Sequence, residues 1–476
     1  MTAAADGQSS PAVDRHAEGT PQGVLSPDEL LEKTDSGEID TVLVAVPGPS
    51  GLLRGKAYDA GYFAAHVLGS GTHAAAYLLT TDPDMRVLPG FAFGGWEHGA
   101  GDVWLRANEA TLRIAGWAAR TALVLADPCD RQGRPIPVAP RAVLARQLHR
   151  LADLGLTASL GVESEAMVYD IDYQGAARRG WRDLPPAADH NTDYALTHPA
   201  RLTALIDRIR ETSYATGLPL EGIKTEAGAG QLEVTFRHGE PMMSADQHAV
   251  YKLLAHQAAE HTGMALTFMA KPFTGRDGNS CHLHLSLLDD EGRNPLVDGH
   301  GRLTDLGRHA VAGCLATLNQ VAVLMLPNVN SYKRLHTDTS PLFAPTTLSW
   351  GYDNRTCALR VLGAGGSGRI ECRIPGADAQ PHLAAAALIT AVVHGIEQKL
   401  PLEEQPVAAN AYDDPHATRM PRTLSEAAAR MHDSAEAAEL LGADVLTHYA
   451  QAAWHEADYH QRRVSDLERE RGFSRS

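Results

Sequence analysis

Four short stretches of this chain place acidic, basic, amide or imidazole side chains two residues apart: Glu163-Ser164-Glu165, Gln231-Leu232-Glu233, His282-Leu283-His284 and Arg369-Ile370-Glu371-Cys372-Arg373. In a β-strand, residues i and i+2 point to the same face, so each stretch offers one ionic face and one apolar face. The apolar sides are Val162/Ala166/Val168, Leu232/Val234, Leu283/Leu285 and Ile370/Cys372/Ile374. A half-buried strand normally turns its polar side to water. Paired carboxylates and histidines are not the residues of a merely solvated strand, which favours Thr, Lys and Ser. Four such strands predict a polar sheet face that encloses a metal-filled site.

Composition narrows the class. The chain has 476 residues, 44% apolar and 21% charged, which is enough for two or more globular domains. A net charge of −16 argues against sequence-independent binding to DNA or to an anionic membrane, although a local basic patch can hold a nucleotide. The five cysteines (Cys129, Cys281, Cys314, Cys357, Cys372) form no CxxC pair and read as reduced thiols. The N-terminus lacks a basic segment followed by an apolar one, so no signal peptide is expected. The longest apolar runs, near 311–327 and 383–396, are too short or too polar to span a bilayer. A soluble cytoplasmic protein is expected.

Along the chain, residues 1–25 are rich in Ala, Gly, Ser and Pro and are expected to be disordered. Ser26 and Pro27 open a short capped helix over 26–36. Strands at 40–47, 75–80 and 121–126 predict a small mixed domain ending in the Pro-rich 128–139 stretch. Helices follow at 140–154, 197–216, 244–263, 303–324 and 381–398, interleaved with the four charged strands, before a helical C-terminal tail.

Five carboxylates (Glu163, Glu165, Glu226, Glu233, Glu371) and the imidazole of His282 are candidates to converge. Like charges about 4 Å apart repel by roughly 4 kcal/mol at an effective dielectric near 20, so such a cluster must shift its pKa values or hold cations. Oxygen ligands with one imidazole suit Mg²⁺ or Mn²⁺ better than Zn²⁺. Arg334, Arg355, Arg360, Arg369 and Arg373 fall within forty residues of one another in an otherwise acidic chain. Guanidinium groups bind phosphate and carboxylate oxygens bidentately. Metals plus arginines describe a site that neutralises a polyphosphate and a carboxylate together, as phosphoryl transfer requires. The bland alternative is a set of solvated or salt-bridged strand faces.

An ordered series of motifs resembles that of the glutamine synthetase family. It runs through Gly161-Val162-Glu163-Ser164-Glu165, Glu226 with Gln231 and Glu233, Lys271-Pro272-Phe273, His282 with His284, Asn330 to Arg334, Asn354-Arg355, and Arg369 to Pro375. The resemblance implies an α+β fold, with a small β-grasp domain over 26–130 and a catalytic domain over 139–476 whose sheet is mainly antiparallel. It implies that Glu165, Glu226 and Glu233 hold one divalent metal, and that Glu163, His282 and Glu371 hold a second on the ATP phosphates. His284 and Arg369 would serve the nucleotide, Arg355 and Arg360 the transferring phosphoryl group, and Arg334, Arg373 and Gly278 the glutamate. ATP, glutamate and an amine are the implied substrates, and the implied assembly is a homo-oligomer of stacked rings, a dodecamer.

Departures from that pattern bear on the amine. The family binds ammonium with an Asp in an Asp-Gly-Ser-Ser loop and a Glu before an Ala-Pro pair on a flap. Here the loop reads Ser70-Gly71-Thr72-His73, and Phe343 precedes Ala344-Pro345. Losing both carboxylates removes the means of holding NH₄⁺, while an aromatic residue favours an organic group. The chain therefore resembles the branch that joins glutamate to primary amines, with a small monoamine such as ethanolamine favoured over a polyamine. An ammonium-using glutamine synthetase is the alternative, followed by a non-catalytic relative. His73 and Asp338 are candidates for the missing base, Asp82 and Asp84 read as turn residues, and Tyr412 reads as a surface tyrosine.

Overall fold

In the computed structural model, which describes residues 22–336, 343–414 and 417–475, the four charged stretches lie in one sheet. Its order is Trp350–Tyr352, Leu359–Leu362, Arg369–Cys372, Cys281–Leu288, Thr157–Tyr169, Gln231–Phe236 and Leu220–Thr225, with Ala265–Thr267 also paired to Thr157–Tyr169. Neighbours run antiparallel except the first two strands, which are parallel. Register decides which side chains share a face. Arg360 lies opposite Glu371, Glu371 opposite His284, Glu163 opposite His282, Glu165 opposite Glu233, and Glu233 opposite Lys224. Because side chains alternate, all of these project from one side of the sheet. The other side carries Val162, Leu232, Val234, Leu283, Leu285 and Ile370, all buried. Helices Pro140–Asp153 and Pro241–His261 pack against it, and both touch Pro381–Glu397, whose residues are buried over almost its whole length.

A second sheet holds Leu53–Asp59, Thr41–Pro47, Thr121–Cys129, Asp102–Ala107 and Thr72–Ala75 in that order, with Arg113–Ile114 also on Thr121–Cys129. Its two central strands, Thr41–Pro47 and Thr121–Cys129, are parallel. Leu30 of helix Pro27–Asp35 and Phe63 of helix Ala60–His66 fill its core. Ser26 starts the first of these helices: its Oγ accepts from the Glu29 amide while Glu29 accepts from the Ser26 amide. The whole is the expected α+β class, with a mainly antiparallel sheet flanked by helices.

Three local expectations fail. Residues 76–79 form a 3₁₀ turn after a strand that ends at Ala75; a run of alanines has little strand preference, and the Ala76 amide is taken by Gly101 O at 2.8 Å. The helix expected over 303–324 stops at Thr317, where Asn319 and Gln320 spend their side chains on the Arg419 and Ala316 carbonyls, and only a 3₁₀ turn at Ala322–Leu324 follows. Most of the expected N-terminal tail lies outside the described residues, but its end is packed: Val24 bridges Arg113 and Leu25 is buried.

The two sheets are tied through Arg141 at the start of helix Pro140–Asp153. Its guanidinium is 2.7 Å from Asp127 of strand Thr121–Cys129 and also contacts Asp246 of helix Pro241–His261. His382 Nε2 donates to Asp246 at 2.7 Å. Burial pushes the Asp246 carboxyl up, but His382 and Arg141 outweigh it and hold it below its ordinary value. Asp246→Ala strips a buried cation of its buried partner and is expected to cost about 3 kcal/mol or more, read from urea unfolding midpoints.

Candidate active site

The ionic face forms one wall of a cavity of about 400 Å³. Glu165, Glu226 and Glu233 each bring a carboxylate oxygen within 4.8 Å of the others, the one such acidic or imidazole group of three among the described residues. Glu226 sits just beyond strand Leu220–Thr225, where its amide donates to Gln231 O at 3.0 Å and closes the hairpin against Gln231–Phe236. Glu165 is fixed by the Ser280 amide and hydroxyl, both at 2.7 Å, and by Gln231 Nε2 at 3.1 Å. Burial and the Glu226 charge push Glu165 up to about 7. Burial, Glu163 and Glu226 push Glu233 up to about 10. Lys224 contributes a cation, its Nζ lying 2.5 Å from Glu226 and 3.1 Å from Asp193, over the Tyr194 ring.

The other half of the face is a chain of contacts rather than a tight trio. Glu163 meets His282 Nδ1 at 2.8 Å and His284 Nε2 at 3.1 Å, and Glu371 lies 3.6 Å from His282 Nδ1. Burial pushes Glu163 up, but the two imidazoles outweigh it and hold it well below the carboxylate range. Arg360 at 3.0 Å and Arg373 clamp Glu371. His282 is driven below its ordinary value by burial and by Arg373, so its ring stays neutral, and its Nε2 is buried with no partner. A neutral imidazole among carboxylates is the ligating form, and the donor set as a whole suits a hard divalent cation.

The arginines complete the wall. Arg334 is buried, donating to the carbonyls of Ile374 at 2.5 Å and Pro375 at 3.0 Å. Gly278 lets it lie there, since a Cβ would stand 2.9 Å from Arg334 Cγ and 2.5 Å from Ala270 O. The Nε groups of Arg334 and Arg373 are both buried without a partner. Arg369 reaches His284 Nδ1 at 3.3 Å, Arg360 is braced by Asp353, Arg355 lines the cavity, and Phe343 stands at its rim, 61% exposed.

Some residues singled out in the sequence lie elsewhere in the chain. His73 rests on the Trp104 ring in the small sheet. Asp82 accepts from the Arg86 amide in a turn, and Asp84 pairs with Arg86 at the surface. Asp338 lies outside the described residues. Tyr412 is half-buried rather than on the surface, because its short 3₁₀ turn (Ala411–Asp413) is held inward by the Ala411 amide donating to Thr356; burial pushes its phenol up. Lys224, Asp193, Tyr194, Asp277 and Asp353 were not anticipated. Of these only Lys224, two residues before Glu226, carried a same-face signal.

The raised Glu165 carboxyl has a readable sign. The folded state binds its proton more tightly than the unfolded chain, so metal-free stability is present at low pH and is lost as pH rises from the ordinary carboxyl range through about 7. Divalent cations require the deprotonated form. The melting temperature in EDTA is therefore expected to fall from about pH 5 to about pH 7.5, while the increment from added Mn²⁺ grows over the same range. An increment independent of pH would contradict this assignment of the cluster.

Residues 137–472 match the glutamine synthetase catalytic domain. The chain is 44% identical to the gamma-glutamylethanolamide synthetase of Streptomyces coelicolor, over 95% of this chain and 96% of that one. It is 31% identical to a glutamate–isopropylamine ligase of a Pseudomonas species, over 90% and 93%. A solved GmaS–ADP complex superposes with a TM-score of 0.81 at 26% identity, covering 93% of this chain and 99% of that one. The chain belongs to the glutamine synthetase family and is a glutamine-synthetase-like ligase.

Proposed function

We propose that this ligase joins the γ-carboxylate of glutamate to a small primary monoamine such as ethanolamine, at the expense of ATP. A carboxylate does not condense with an amine at neutral pH because hydroxide leaves too poorly. Moving the γ-phosphoryl group of ATP onto the glutamate side chain makes an acyl phosphate, from which the amine displaces phosphate. The observation that carries this reading is the convergence of carboxylates, imidazoles and arginines on one face of one sheet.

The roles follow from position. Arg334 and Arg373, each with a buried unpartnered Nε, are suited to clamp the α-carboxylate of glutamate beside Gly278. Arg355 and Arg360 are suited to the charge that spreads over the transferring phosphoryl oxygens. His284 and Arg369 would meet the nucleotide phosphates. Glu165, Glu226 and Glu233 would hold one Mg²⁺ or Mn²⁺, and Glu163, His282 and Glu371 a second; when bound, these ions neutralise polyphosphate charge and polarise the oxygens. We assign residues 26–130 to a β-grasp domain and 139–476 to the catalytic domain, in a cytoplasmic homo-oligomer of stacked rings.

The choice of an organic amine over ammonium rests on the loop lacking an Asp and on Phe343 at the flap position. Among the described residues no helix is long and apolar enough to cross a membrane, and two of the relatives quoted above are named as a gamma-glutamylethanolamide synthetase and a glutamate–isopropylamine ligase. Phosphate release with ATP, glutamate and Mg²⁺ is expected to be at least about tenfold faster with ethanolamine than with ammonium at equal subsaturating concentration, a difference of ~1.4 kcal/mol. Ammonium as the best acceptor would return the protein to ordinary glutamine synthesis. Phe343→Glu, which restores a rim carboxylate, is expected to raise kcat/KM for ammonium relative to ethanolamine by roughly tenfold.

A further inference from the structure

Lys224 brings an ammonium group into the active-site cavity on the chain's own tether. Its Nζ lies 2.5 Å from Glu226, 3.1 Å from Asp193 and 4.1 Å from the centre of the Tyr194 ring. Two carboxylates and an aromatic face are the groups that recognise a small cation. All four residues line the same cavity as Glu165, Glu233, Arg334 and Phe343.

The cage is held in place by its backbone. The Tyr194 amide donates to Thr225 O at 3.3 Å, and Thr225 Oγ1 donates to the carbonyl of the buried Thr192, which ties segment 191–194 to strand Leu220–Thr225. The Asp193 amide donates to Asn191 Oδ1 at 2.8 Å. Tyr194 has a φ of 55°, in the left-handed region that an aromatic residue rarely adopts. Such a conformation persists only where the surroundings impose it, and the residue that bears it is the one whose ring faces Lys224.

An ammonium ion has no surface besides its charge, so acidic oxygens and aromatic faces are all that can gather it. A tethered cation already in the cage takes those groups and repels a second cation a few ångströms away. An organic amine keeps the contacts of its tail and can enter in its uncharged, nucleophilic form. We infer that the Lys224 ammonium fills the small-cation position of the cavity, and so selects against ammonium in favour of uncharged amines that carry an organic group. This rests on the reading of the protein as a glutamate–amine ligase and names a residue that sets its acceptor.

Steady-state kinetics on the full chain loaded with Mg²⁺ test it, with ammonium, ethanolamine, ethylamine and methoxyamine as acceptors. Lys224→Met keeps the length of the side chain and deletes its charge. It is expected to raise kcat/KM for ammonium relative to ethanolamine by roughly tenfold, whereas Lys224→Arg keeps the wild-type ratio. Methoxyamine and ethylamine have nearly the same shape, but only ethylamine is a cation at neutral pH. In the wild-type protein the KM for methoxyamine is expected to be no higher than that for ethylamine. A ratio that does not rise in Lys224→Met would leave Lys224 a plain salt bridge and overturn the inference, with the ligase reading intact. A wild-type KM lower for ethylamine than for methoxyamine would overturn it as well, even if the Lys224 variants fail to fold. Wild-type preference for ammonium would overturn both this inference and the acceptor assignment.

Discussion

Like-charge crowding is the constraint on which the large sheet depends. Strand register stacks Glu163, Glu165, Glu233 and Glu371 on one face, with Glu226 at the end of the neighbouring strand. At separations of a few ångströms each pair repels by several kcal/mol in a partly desolvated setting. Two solutions are visible side by side. On one half, His282, His284, Arg360 and Arg373 hold Glu163 and Glu371 ionised. On the other half, Glu165 and Glu233 are left with raised pKa values that a divalent cation would bring down.

That asymmetry bears on mechanism. On the arginine half Arg360 and Arg373 pair with Glu371, and Arg334, Arg355 and Arg373 line the cavity, the placement needed where phosphate and carboxylate oxygens must be gathered. The carboxylate half is short of cations, and Lys224 covers only Glu226 and Asp193. Phosphoryl transfer asks for both, since its charge spreads over several oxygens at once. The apolar side of the same strands lies under helices Pro140–Asp153 and Pro241–His261, so the spacing that assembles the site also anchors it to the core.

Much of this was legible because period-two alternation is local. Glu163, His282 and Glu371 could be placed on strand faces from their neighbours alone, and Ser26 with Pro27 marked a helix start that the Glu29 capping box completes. What escaped was set by three-dimensional proximity. Asp277 lies in an irregular loop with no periodic signal, and Asp353, which braces Arg360, is brought in by the pairing of two short strands. Tyr194 and Asp193 reach the cavity from a segment outside any helix or strand. The alanine run at 74–76 and the Asn319-Gln320 break escape for a related reason: the Ala76 amide bonding to the Gly101 carbonyl and the Asn319 side chain bonding to the Arg419 carbonyl decide them.

The central claim is that the charged sheet face activates a carboxylate as an acyl phosphate before an amine arrives. Positional isotope transfer tests it most directly. With glutamate carrying ¹⁸O in both γ-carboxylate oxygens, ATP, Mg²⁺ and the best acceptor amine, one ¹⁸O is expected in each inorganic phosphate released, with the other retained in the amide. Phosphate free of label would mean that ATP is cleaved by water and that no acyl phosphate forms, contradicting the account.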